Sequence, residues 1–162
     1  MKRSTLVIVA AIALLLFSGV ASAQGLSKNI DGSQHPEQIS DAAAYSLFFA
    51  HFSNMLADPT LDSMVKVNLF QTIDLSPTDE GILVDALNDH KVRRDKAIEL
   101  QNQANEKAIG RGEAVANFAP IHKAVVAQTR ENLKKTLSAD GLAKLDVFVQ
   151  AEKKKMRVSP QY

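Results

Sequence analysis

The chain has 162 residues, with 19 Lys and Arg against 18 Asp and Glu, four histidines and no cysteine. That near-neutral balance argues against nucleic acid as a partner. The lack of cysteine excludes a disulfide framework, a thiol nucleophile and a thiolate metal site. The length fits one domain with a modest core.

The chain opens Met1-Lys2-Arg3, and Leu6 to Phe17 follows as 12 residues without a charge. Ser18-Gly19 breaks the run, and Ala21-Ser22-Ala23 puts small residues before Gln24. Residues 1–23 therefore read as a secretory signal peptide cleaved after Ala23. A spanning helix needs about 20 apolar residues, so no stable membrane insertion is expected after cleavage. The expected address is periplasmic or secreted. The chain from Gln24 to Tyr162 has 139 residues and a net charge of −1, since only Lys2 and Arg3 are lost.

Residues 24–40 are polar and rich in Gly, Pro, Asn and Asp, which predicts a flexible leader. At Ser40 the composition changes. Tyr45, Phe48, Phe52 and Met55 step by three and four, the spacing of one helical face. Ser40 or Asp41 suits the cap, and Asp58-Pro59 ends the helix. A second helix is expected over about 61–73, with Leu61, Val65 and Leu69 on one face. Ser76-Pro77 then restarts the chain as N-cap and first helical residue, with Asp79 and Glu80 in the first turn. The third helix is long, from Pro77 to about Ile109, roughly 50 Å at 1.5 Å per residue. Its second half is strongly polar, so it is either exposed or packed on a narrow stripe. A fourth helix starts or kinks at Pro120, and a fifth starts after Ser138 with Leu142, Leu145, Val149 and Met156 as its stripe. Lys153-Lys154-Lys155 falls in its last turn. Alternating strand patterns are almost absent. The reading is an all-α fold of helical hairpins or a small bundle of about five helices over 41–157, with a tail at 158–162.

Few catalytic signatures appear. Ser63-Met64-Val65-Lys66 matches S-x-x-K, but no S-D-N follows, and Lys135-Thr136-Leu137 lacks the Gly of K-T-G. His35, His51, His90 and His122 show no metal-ligand spacing. His90, beside Asp89 and one turn from Asp85, offers at most a weak metal site, while His51 and His122 border apolar stripes. No enzyme activity, cofactor or metal is expected. The basic C-terminal stretch from Ala151 to Tyr162 has an apolar stripe better used for packing than for a membrane surface.

Leu75-Ser76-Pro77-Thr78-Asp79 and Leu137-Ser138-Ala139-Asp140-Gly141 are alike: each puts Leu-Ser ahead of a new helix, where the hydroxyl accepts an orphan N–H. Paired Leu-Thr-x-x-Gln motifs mark the periplasmic Spy/CpxP-like stress proteins. This chain resembles them over about residues 60–157 in its leader, size, lack of Cys, helical content and paired helix starts. It departs from them where Ser76 and Ser138 replace Thr, and where Asp79 and Gly141 stand in place of Gln. The resemblance implies a cradle-like homodimer that binds unfolded clients without ATP, or an envelope-stress adaptor. The candidate partner-binding residues are Phe48, Phe52 and Met55 as an apolar platform, with Arg93, Arg94 and Lys134 as steering charges; the alternatives are that the aromatic cluster is core and that the charges, interleaved with acidic residues, form a solvated helix face. Leu75, Ser76, Leu137 and Ser138 form the cap repeat. The alternatives are a structural, envelope-associated helical protein working through a homodimer or one specific partner helix, and a metal-responsive sensor, which needs the histidines to converge.

Overall fold

The computed structural model describes residues 29–60, 70–115 and 117–159. The expected signal peptide therefore lies outside the described residues, as does the S-x-x-K match. Of the expected second helix only residues 70–73 are described, and they are helical. The fold is all-α. Helix α1 spans Asp41–Ala57, α2 Pro77–Gly110, α3 Ala119–Thr136 and α4 Ala139–Glu152. A 3₁₀ turn, Lys153–Lys155, follows α4, so the lysine run sits just past the helix rather than inside its last turn.

The helix starts follow local chemistry. The Ser40 hydroxyl accepts the Ala43 N–H and caps α1. Ser76 accepts from the Asp79 N–H, with Pro77 at the first position of α2. Ser138 accepts from the Gly141 N–H and caps α4. Pro120 lies in the first turn of α3, where its missing N–H costs nothing, so it starts the helix and does not kink it.

Helix α1 is the centre of the bundle and packs against α2, α3 and α4. Eight of its residues are buried, among them Ala44, Tyr45, Phe48, Phe49 and Ser53. They cover so wide an arc that the helix is apolar nearly all round, as a central helix must be. Leu83 and Leu87 of α2, Leu133 of α3 and Leu145 and Val149 of α4 close the core. Helices α2 and α3 form an antiparallel hairpin. Asp79 meets Ser138 at one end, and His90 meets Thr129 partway along. Helix α2 has 34 residues against 18 in α3 and 17 in α1. At 1.5 Å per residue it outreaches its neighbours, and beyond His90 only Gln101 and Ala108 on it are buried.

The expected leader is described from residue 29 on, where it forms a short strand and turn. Ile30–Asp31 pairs antiparallel with Arg157–Val158, at the junction of the helical domain and the tail. The Gly32 N–H donates to the Met156 carbonyl at 2.8 Å. A Cβ on Gly32 would sit 1.8 Å from the Lys153 carbonyl oxygen, so only glycine allows this approach. A 3₁₀ turn at Pro36–Gln38 then delivers Ile39 into the core. Inside this clasp, the Asp41 carboxylate accepts from Lys153 and Gln150, each at 2.8 Å. The Lys153 hydrogen bond, then Gln150, holds the Asp41 carboxyl below its ordinary pKa.

Candidate functional site

The paired helix starts meet in space. Ser76 donates its hydroxyl proton to Asp79 Oδ2 at 2.9 Å. Ser138 donates its backbone N–H to Asp79 Oδ1 at 2.9 Å and its hydroxyl to Oδ2 at 2.7 Å. In a capping box the third helical residue answers the cap's own N–H. In α4 that residue is Gly141, which has no side chain to answer with. Asp79 answers from the other helix instead, and its carboxylate fills the space a side chain at 141 would take. A Cβ on Gly141 would lie 2.7 Å from Asp79 Cγ. The backbone hydrogen bond from Ser138, then the two serine hydroxyls, holds the Asp79 carboxyl below the usual carboxylate range. Lys144 bridges Asp74 and Asp140, each at 3.0 Å, beside this joint. Asp74 adopts φ 60°, a conformation that short polar side chains tolerate. Leu75 and Leu137 are buried under the joint. The cap repeat is thus a structural joint between α2 and α4.

The expected aromatic platform is not presented by the folded chain. Phe48 is 2 % and Phe52 8 % exposed. Their rings lie 4.6 Å apart, and each packs on Phe148 of α4 at about 6 Å. Met55 is half-buried against the same core. These spacings are those of a central helix, which reads in sequence like an apolar patch. Tyr45 belongs to this core too. It donates to Asp146 and carries the Arg130 guanidinium over its ring at 4.4 Å. Burial, then that hydrogen bond, pushes its hydroxyl well above the ordinary tyrosine pKa.

The expected steering charges are mostly engaged. Arg93 pairs with Asp89 at 2.6 Å and donates to Thr129 at 3.2 Å. Arg94 donates to Asn54 of α1 at 2.7 Å and to Asp95. Both reach inward and tie α2 to its neighbours. Lys134 stays exposed and pairs with Glu131 at 2.7 Å, one turn away on its own helix.

The histidines separate. His35 is exposed and pairs with Glu37 at 3.3 Å. His51 is exposed and edge-on to Phe52. His90 is fully buried, with its ring 5.2 Å from that of Phe49. His122 Nε2 lies 2.7 Å from the Ser46 hydroxyl. That pair has the spacing of a nucleophile and its base. Ser46 is buried, however, and His122 Nδ1 meets no orienting partner. Among the described residues no group of three or more His, Cys, Asp or Glu is placed to hold a metal ion. No described helix is long and apolar enough to cross a membrane.

What the described surface does expose is apolar side chains around the far half of the α2–α3 hairpin. Val92 and Ile109 are each 67 % exposed, Val115 54 %, Leu100 53 %, and Ile98 and Ile121 38 %. Ile98 and Ile109 stand three turns apart on one face of α2. The charges between them are of mixed sign, with Lys96 paired to Glu99 and Arg111 to Glu113. In sequence this stretch was open to two readings, exposed or packed on a narrow stripe, because its apolar residues are scattered singly among polar ones. The signal was the mismatch between a long α2 and its shorter partners. Comparison with family models, curated proteins and solved structures returned no match.

Proposed function

We propose that this chain is an exported, non-enzymatic helical protein that binds other proteins through the far half of its α2–α3 hairpin. It holds exposed apolar segments of unfolded or partly folded proteins by equilibrium contact, without a nucleotide. One observation carries the reading: of the seven large apolar side chains left exposed on the described residues, six lie between Val92 and Ile121. Separate apolar side chains of this kind, flanked by charges of both signs, offer several contact points to partner segments rather than one rigid shape. The paired Leu-Ser helix starts and the Spy/CpxP-like resemblance support the same class of activity.

The test is light scattering from a chemically unfolded model protein diluted with and without the purified chain. Suppression at near-stoichiometric ratio without ATP is expected. No suppression by a sample shown to be folded and helical would sink the proposal. The same exposed residues also fit a homodimer in which two hairpins cover each other. A concentration-dependent dimer in sedimentation that Leu100→Ser dissociates would favour that structural reading instead.

A further inference from the structure

The seam where α1 meets the α2–α3 hairpin is polar in an otherwise apolar core. The Thr129 hydroxyl donates its one proton to the Val125 carbonyl at 3.0 Å. Its oxygen can then only accept, and it does so from Arg93 at 3.2 Å and from His90 Nδ1 at 3.1 Å. With the hydroxyl proton on the Val125 carbonyl, the neutral His90 that fits carries its proton on Nδ1 and a bare lone pair on Nε2. Nε2 has no hydrogen-bond partner and is sealed from solvent, as are Arg93 Nε and Nη1 and His122 Nδ1. The seam is stocked with nitrogen and short of acceptors.

A proton added at Nε2 would create a buried N–H⁺ with nothing to accept it. The groups around it make matters worse. From its own helix it feels Arg94 and Arg93, with Asp89 opposing them, and from α3 it feels His122. Asp89 is already paired with Arg93, and Asp95 with Lys91 and Arg94. Helix α1 offers the Phe49 ring, while its own His51 is exposed beside Phe52. Separating α1 from the hairpin would give the imidazolium water and relieve the crowding.

We propose that His90 is an acid latch: a proton taken up at Nε2 drives α1 off the α2–α3 hairpin while the helices persist. Opening breaks the contacts of α1 with the hairpin, Arg94 on Asn54, His122 on Ser46 and Arg130 over Tyr45, but leaves a second set in place. Helix α1 stays tied to α4 by Phe48 on Phe148 and to the segment after α4 by Asp41 on Lys153, and the Asp79 joint holds α4 to the root of α2. Burial first, then Arg94, His122 and Arg93, pulls the His90 pKa from 6.5 down to about 4. Sign and window follow. The open state binds the proton near the ordinary histidine value, about 6.5, and the closed state only near 4. The closed form therefore has its full stability above about pH 6.5 and loses it as pH falls toward 4. Burial also lowers the His122 pKa, so that group acts in the same direction.

The test places nitroxide labels at Ala57→Cys on α1 and Gln128→Cys on α3, both exposed positions in a chain otherwise free of cysteine. Their distance distribution is measured from pH 7.5 to 4, with far-UV circular dichroism alongside. The latch predicts a shift to longer, broader distances while helix content holds, and His90→Leu lowers the midpoint by about one pH unit or more. Identical midpoints in both proteins, or separation only together with loss of helix, would overturn it. If His90→Leu fails to fold, histidine NMR titration of the unmutated chain decides the matter. A His90 resonance titrating at about 6.5, with the labels still at their closed distance, contradicts the latch. A depressed value tracking the distance change supports it.

Discussion

The two halves of α2 are one helix held in two different ways. At its root, Leu83, Leu87 and His90 are buried, and Asp79 is held by three donors from two serines. In its far half only Gln101 and Ala108 are buried, and most of the stabilisation is local. Lys91–Asp95, Lys96–Glu99, Gln101–Asn105 and Gln103–Glu99 pair along the helix surface. Such pairs contribute about 0.2–0.5 kcal/mol each, against about 1.5–3 kcal/mol for each buried large apolar side chain. The root therefore carries the stability, and the far half is free to keep its apolar side chains in water. Division of labour along one helix lets a small domain hold a binding surface without losing its fold.

Mutations can break that comparison, and the largest effect belongs where α1 covers the root. Phe49 is fully buried, with ring neighbours Tyr45, Phe48 and His90. Phe49→Ala is expected to cost about 3–5 kcal/mol in urea unfolding, because α1 cannot collapse onto the cavity. Ser138→Ala removes the α4 cap and one donor to Asp79, for a loss of about 1–2 kcal/mol. Gly141→Ala sharpens the account of the joint. In an ordinary helix it would stabilise by up to about 1 kcal/mol, but here the new methyl meets the Asp79 carboxylate, and a net loss of about 1 kcal/mol is expected. In an Asp79→Ala background the same change should turn neutral or stabilising. A loss of equal size in both backgrounds would mean that the two residues do not share that space. The smallest effect is at the far end, where Leu100→Ser and Ile109→Ser should each shift stability by less than about 0.5 kcal/mol.

The helix boundaries were legible because their signals are local. Ser40, Ser76-Pro77, Pro120 and Ser138 each act on the backbone within one turn, and all mark the starts seen. The pairing of the two Leu-Ser starts was visible too, but its meaning was not. A capping box is sought three residues downstream, whereas the Asp79 that answers Ser138 lies 59 residues away. The clasp escaped because two-residue strands are too short to show alternation, and the polar Gly32 segment reads as disorder until its partner is known. The Phe48 and Phe52 platform failed for a physical reason as well. Periodicity shows that residues share a face but not whether that face is covered, and α1 turned out to be covered on nearly every side. For the polar half of α2 the sequence left both outcomes open, exposed or packed on a narrow stripe, because that depends on how far the neighbouring helices reach.

The most direct test of a stable root carrying a free binding end is the Leu100→Ser/Ile109→Ser double variant. Its suppression of model-protein aggregation is measured at 25 °C beside its thermal midpoint. The account predicts an unchanged midpoint, within the few degrees that about 1 kcal/mol would produce, together with a clear loss of suppression relative to the unmutated chain. Undiminished suppression by the double variant would place the binding surface elsewhere and contradict the account.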